Sequence, residues 1–186
     1  MTRDQMPAWL VEITGIDNMV TDDNVEILIS RAHEPIIRDV SGEPQADMTF
    51  RADPNPRMQN KVRGKIENGR LTSEQFDFYM IGDPFSVTEY VLRKARVRFD
   101  FKPDGTARGL IGGFQPWEHL YVSWALGGAI NEMGLSMDVA GVYYSMRKLA
   151  DGDPDPKTGM NMSISTSYVI EALPAFVVRT ENVAAK

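Results

Sequence analysis

The chain has 186 residues, 42 % of them hydrophobic and 25 % charged, with a net charge of −6, so it holds enough apolar side chain for a real core. It contains no cysteine, which excludes disulfides, thiolate nucleophiles, thiolate zinc sites, iron–sulfur clusters and haem c. The acidic balance argues against a nucleic-acid ligand for the molecule as a whole.

The N-terminal segment, 1–7, lacks the charged start and apolar run of a signal peptide. The uncharged run from Leu120 to Ile130 is too short to cross a bilayer. A soluble protein is expected, and one that is exported would be a mature or excised module. The calcium-type loop described below gives a lean to an extracytoplasmic location.

The first hundred residues carry the period-2 alternation of strands. Trp9, Val11 and Ile13 alternate with Leu10, Glu12 and Thr14. Val25, Ile27 and Ile29 do the same, as do Ala46, Met48 and Phe50. Turn formers separate them at Asp22-Asp23-Asn24, Ser41-Gly42 and Asp53-Pro-Asn-Pro56. Residues 58–81 are predicted to be a hairpin. Val62 and Ile66 face one way, Lys61, Arg63 and Lys65 the other, and Asn68-Gly69 makes the turn. Phe76, Phe78 and Met80 return along the core face.

A strand from Val91 to Lys102 sets Ala95, Val97, Phe99 and Phe101 against Lys94, Arg96, Arg98 and Asp100. Lys102-Pro-Asp-Gly105 turns it back. After Pro116 the period becomes helical. Trp117, Leu120, Tyr121, Trp124 and Gly128 share one face, and Val139, Val142, Tyr143, Met146 and Ala150 share the face of a second helix, capped by Ser136 or Asp138. A final strand carries Ile164, Thr166, Tyr168, Ile170 and Ala172 on one side and ends at Pro174. The tail from Thr180 is expected to fray. The pattern predicts a mainly β fold in one domain, 1–186. It is an antiparallel meander forming a sandwich or barrel, with two helices inserted at about 115–150 before the last strand.

Five constellations could carry chemistry. Asp151, Asp153 and Asp155 match the first alternate ligands of a calcium loop, and Asn161 could complete a looser site. Pro156 and Met162 occupy the positions where an EF-hand needs Gly and Glu, so this is not an EF-hand. The plainer reading is a polar turn between helix and strand. Lys61, Arg63, Lys65, Lys94, Arg96 and Arg98 would form one anion-binding patch if their strands are neighbours, although Glu67, Asp77 and Asp100 could neutralise part of it.

Gly109-Leu-Ile-Gly112-Gly113 precedes a helix start but is neither a dinucleotide fingerprint nor a P-loop, and close packing explains it as well. His119, Glu118 and Glu132 are the candidate acid–base groups, and no Gly-x-Ser-x-Gly elbow is present. Trp117, Tyr121, Trp124, Tyr143 and Tyr144 could line a small-molecule pocket, or simply pack as core.

The expected function is a non-catalytic binding or accessory module, calcium-stabilised and part of a larger assembly. Its partner would be another protein or a second copy, met through helices 116–150. The alternative is a small barrel-type enzyme or carrier with its pocket between the sheet and those helices.

Overall fold

In a computed structural model the residues described are 7–82, 88–126 and 139–179. The chain is mainly β, and among these residues it forms eleven strands and two α-helices: β1 Pro7–Thr14, β2 Thr21–Pro35, β3 Met48–Ala52, β4 Gln59–Glu67, β5 Arg70–Ser73, β6 Phe76–Ile81, β7 Glu89–Phe101, β8 Ala107–Pro116, α1 Trp117–Leu126, α2 Val139–Leu149, β9 Gly152–Pro154, β10 Asn161–Ala172 and β11 Ala175–Arg179. The hydrogen-bonded order is β11-β3-β2-β4-β5-β7-β8-β10-β9, with β1 added on β2 and β6 on β7. Among the described residues β11 and β9 do not pair, so of the two expected architectures the barrel is not the one formed. The sheet is mixed, because β11 runs parallel to β3.

The chain divides into two compact units. The first comprises residues 1–74, 96–111 and 169–186. Its strand core follows from the alternation in sequence: Val25, Ile27 and Ile29 of β2, Val62 and Ile66 of β4, Leu71 of β5, and Val97 and Phe99 of β7 are all buried. Ala8, Leu10, Ala32, Phe50 and Ala52 form a second cluster, against which Ile37, Met48 and Val177 pack. On β1 the fully buried positions are thus Ala8 and Leu10, while Trp9 is only half-buried.

The β4–β5 hairpin closes where Asn-Gly predicts it. Glu67 pairs with Arg70, and Asn68 and Gly69 hold φ of +53° and +74°, the left-handed pair of a type I′ turn. Asp22-Asp23-Asn24, expected as a turn, instead lies inside β2 as a bulge between Asp22 and Val25. The Asp22 carboxylate accepts the amides of Asp17 and Asn24 at 2.7 and 3.0 Å, which gives the bulged backbone its partners.

The second unit comprises residues 75–95 and 112–168. Here the expected hairpin of 58–81 needs correction. Its return strand is only β5; β6 pairs with β7, Phe78 opposite Leu92 and Ile81 opposite Glu89. The β6–β7 register slips between Phe76 and Phe78, leaving an extra residue on β7. Lys94 takes φ +52° there, and its amide is bonded by the Asp77 carboxylate at 3.0 Å. The bulge resets the strand's phase, so both Leu92 and Ala95 are buried while Arg93 and Lys94 are exposed.

Gly113 of β8 lies against this bulge. A Cβ there would stand 2.9 Å from the Arg93 carbonyl and 3.0 Å from the Ala95 Cα. The glycine-rich stretch is therefore part of β8 rather than a loop before the helix, and Pro116 ends that strand. Trp117, Val142 and Met146 form the core of the helical pair, with Leu120, Tyr121, Ala125, Tyr143 and Ile164 around them. Gly128, Ser136 and Asp138 fall outside the described residues. β10 is followed by β11 after Pro174, so the strand expected to be last is followed by another.

Candidate functional site

The basic stripe is the constellation that the fold gathers most clearly. β4 and β7 are not neighbours; β5 lies between them. Lys65 pairs with Thr72, and Thr72 pairs with Arg98, so the three form one row across three strands. The next same-face row is set by the Glu74 amide, which donates to the Arg63 carbonyl at 2.8 Å. Buried Ser73 stitches the rows together: its Oγ accepts the Val97 amide at 2.9 Å and donates to the Glu74 carbonyl at 2.8 Å. Strands stand about 4.8 Å apart, so cations on β4 and β7 are separated by about 10 Å, and cations two residues apart on one strand by about 7 Å. A shallow groove of about 300 Å³ runs here, lined by Asp23, Gly64, Lys65, Thr72, Ser73, Glu74 and Arg96.

The acids near this face are distributed unevenly. Lys61 is paired with Glu26 at 2.7 Å, and Lys65 with Glu67 at 2.7 Å. Asp100 is taken by Arg70 at 2.5 Å, and this bond holds its carboxyl below the usual carboxylate range. The side chains of Arg63, Arg96 and Arg98 are exposed and, among the described residues, make no hydrogen bond or ion pair, although the charge of Arg98 also acts on Asp100. Lys94 belongs to the second unit, where it pairs with Asp153 at 3.2 Å.

The acidic loop is taken up by protein donors. Asp151 accepts the Ser165 amide at 2.7 Å and the Ser165 hydroxyl as well. Asp153, at φ +53°, accepts from Arg93 at 2.8 Å and from Lys94 at 3.2 Å. Asp155 accepts the amides of Lys157 and Thr158 at 2.7 and 2.9 Å. All three carboxyls lie below their ordinary range, held there mainly by Ser165, by Arg93 and by the Thr158 amide, respectively. The Asn161 amide donates to the Ala150 carbonyl at 3.1 Å. Part of the loop is a strand, β9, with Gly152 opposite Ser163, and a Cβ on Gly152 would fall 2.2 Å from the Phe114 ring. Among the described residues no three His, Asp or Glu groups gather in a way that could hold a metal.

His119 sits on α1 with its Nε2 3.0 Å from a Glu89 oxygen, and Tyr79 donates its hydroxyl to the other Glu89 oxygen at 2.6 Å. One turn along α1, the buried Ser123 hydroxyl meets Thr88 at 2.7 Å. The partner of His119 is thus Glu89, not the exposed Glu118 beside it, and Glu132 lies outside the described residues. Neither Glu89 nor Tyr79 stands out in the sequence. They become visible only through the β6–β7 pairing, which the hairpin expected over 58–81 obscured.

The aromatic candidates divide between core and surface. Trp117 is buried, and Tyr143 packs edge-on against Trp117, Tyr121 and Tyr144 at 5.0, 5.3 and 5.4 Å. Tyr144 is 63 % exposed and Trp124 36 %, so these two face outward. No described helix is long and apolar enough to cross a membrane. Comparison with known proteins gives no match to a family model, a curated protein or a solved structure.

Proposed function

We propose that this chain is a non-catalytic binding module whose ligand is anionic and docks on the exposed face of β4, β5 and the C-terminal half of β7. One observation carries the reading. Arg63, Arg96 and Arg98 share one exposed face with no side-chain ion pair of their own, Arg96 lining its groove, on a chain whose net charge is −6. Elsewhere on the same face the cations are paired with Glu26, Glu67 and Asp100. Guanidinium groups left unpaired offer their donor forks to carboxylate, sulfate or phosphate oxygens. Retention on immobilised dextran sulfate tests this. The wild-type protein should elute later than the Arg63→Gln/Arg96→Gln/Arg98→Gln variant, whereas Lys148→Gln should behave as wild type. Equal elution of all three would remove the proposal.

An enzyme is the second reading, favoured by the Tyr79–Glu89–His119 chain. Glu89 accepts from Tyr79 and stands 3.0 Å from the His119 Nε2, and the tautomer that donates from Nε2 to Glu89 carries the lone pair of a general base on Nδ1. Hydrolysis of activated esters by the wild type, lost in His119→Asn and weakened in Tyr79→Phe, would support it. Identical background rates in all three would exclude it.

A further inference from the structure

We infer that the ligand of the β4–β5–β7 face is an extended acidic peptide with carboxylates at alternate positions. This rests on reading that face as an anion-binding surface, and it adds the ligand's class. The cations recur at alternate residues, Arg63 and Lys65 on one strand and Arg96 and Arg98 on another, so each row has the strand period of about 7 Å. An extended peptide presents every second side chain to one side with the same period. Its carboxylates can therefore meet Arg96 and Arg98 in step, each as a two-pronged pair.

The middle of the face selects against denser charge. Glu74 lies on the groove wall between Arg63 and Arg96, and Asp23 is on the same wall. A polymer carrying an anion at every unit would set charges against them, whereas an extended peptide keeps its acids in one row along Arg96 and Arg98 and turns its neutral residues away from the face. The groove wall of Asp23, Gly64, Lys65, Thr72, Ser73, Glu74 and Arg96 contains no aromatic ring. That removes the stacking platform on which single-stranded nucleic acids rest. Thr72, half-buried between Lys65 and Arg98, adds a hydroxyl for a peptide carbonyl.

Fluorescence anisotropy at low salt tests the inference with a labelled peptide alternating Glu and Ser, a peptide of the same composition with all its Glu in one block, and dextran sulfate. The alternating peptide should bind about tenfold more tightly than the block peptide, a difference of about 1.4 kcal/mol. Arg96→Gln/Arg98→Gln should lose that preference, with circular dichroism checking the fold. Arg96→Lys/Arg98→Lys, which keeps the charge but not the fork, should fall in between. Equal affinity for both peptides alongside binding of dextran sulfate would overturn the peptide assignment and leave the anion surface standing. Binding of none of the three would overturn both.

Discussion

Gly113 shows how a single side chain's absence shapes this protein. It faces the β7 bulge, and a methyl group there would meet the Arg93 carbonyl at 2.9 Å and the Ala95 Cα at 3.0 Å. Both contacts are backbone, so neither can swing away. Gly113→Ala should therefore cost about 1–3 kcal/mol, seen as a melting point lower by roughly 2–12 °C; an unchanged melting point would contradict the packing described. Asn68 makes a milder case. Its φ of +53° suits Asn better than Ala, so Asn68→Ala should lose about 1 kcal/mol in urea unfolding. Asn68-Gly69 is fully legible in the sequence because its geometry is local. Gly113 is not, because the atoms it must avoid belong to a bulge twenty residues earlier in the chain.

At the level of elements, the telling junction is β9 against the β7 bulge. The bulge exposes Arg93 and Lys94 side by side, and Asp153 takes both at 2.8 and 3.2 Å. Asp153 is thereby held below its ordinary value of 3.8. A carboxyl that is harder to protonate when folded stabilises the fold above the ordinary range, and that contribution disappears as pH falls through the lowered value. Asp153→Asn should thus weaken the protein at neutral pH by no more than about 1 kcal/mol, since both cations it holds are about half exposed to solvent. It should also flatten the loss of stability below about pH 4. Urea midpoints of both proteins at neutral and acidic pH decide this, and parallel acid losses would show that the pair is idle.

The same junction bears on calcium. An ion held by Asp151, Asp153, Asp155 and Asn161 would have to draw Asp153 from Arg93 and Lys94. The ion pairs predict one melting point in calcium and in chelator, whereas a rise in calcium would assign the loop to the ion. The sequence marks this loop as a crowd of acids, and the local turn at Asp155 is legible in it, yet the partners of Asp151 and Asp153 come from β10 and β7, beyond the reach of any spacing rule.

For the whole molecule, alternation makes strand identity and buried faces readable. Val62, Ile66, Val97 and Phe99 are core as their spacing predicts. Neighbour relations are less readable. β6 has the pattern of a strand, but nothing local says that it pairs with β7, and the Glu89–His119 contact depends on that pairing. The basic stripe lies between these extremes. Its exposure is legible, whereas the insertion of β5 between its two rows, and the acids that pair some cations and leave others, come from the register. That register makes Arg63, Arg96 and Arg98 the centre of the proposed function. The most direct test is to follow backbone amide shifts by NMR while titrating dextran sulfate. The account predicts saturable shifts concentrated at Arg63, Lys65, Thr72, Glu74, Arg96 and Arg98. Shifts centred on Arg147 and Lys148, or none at all, would contradict it.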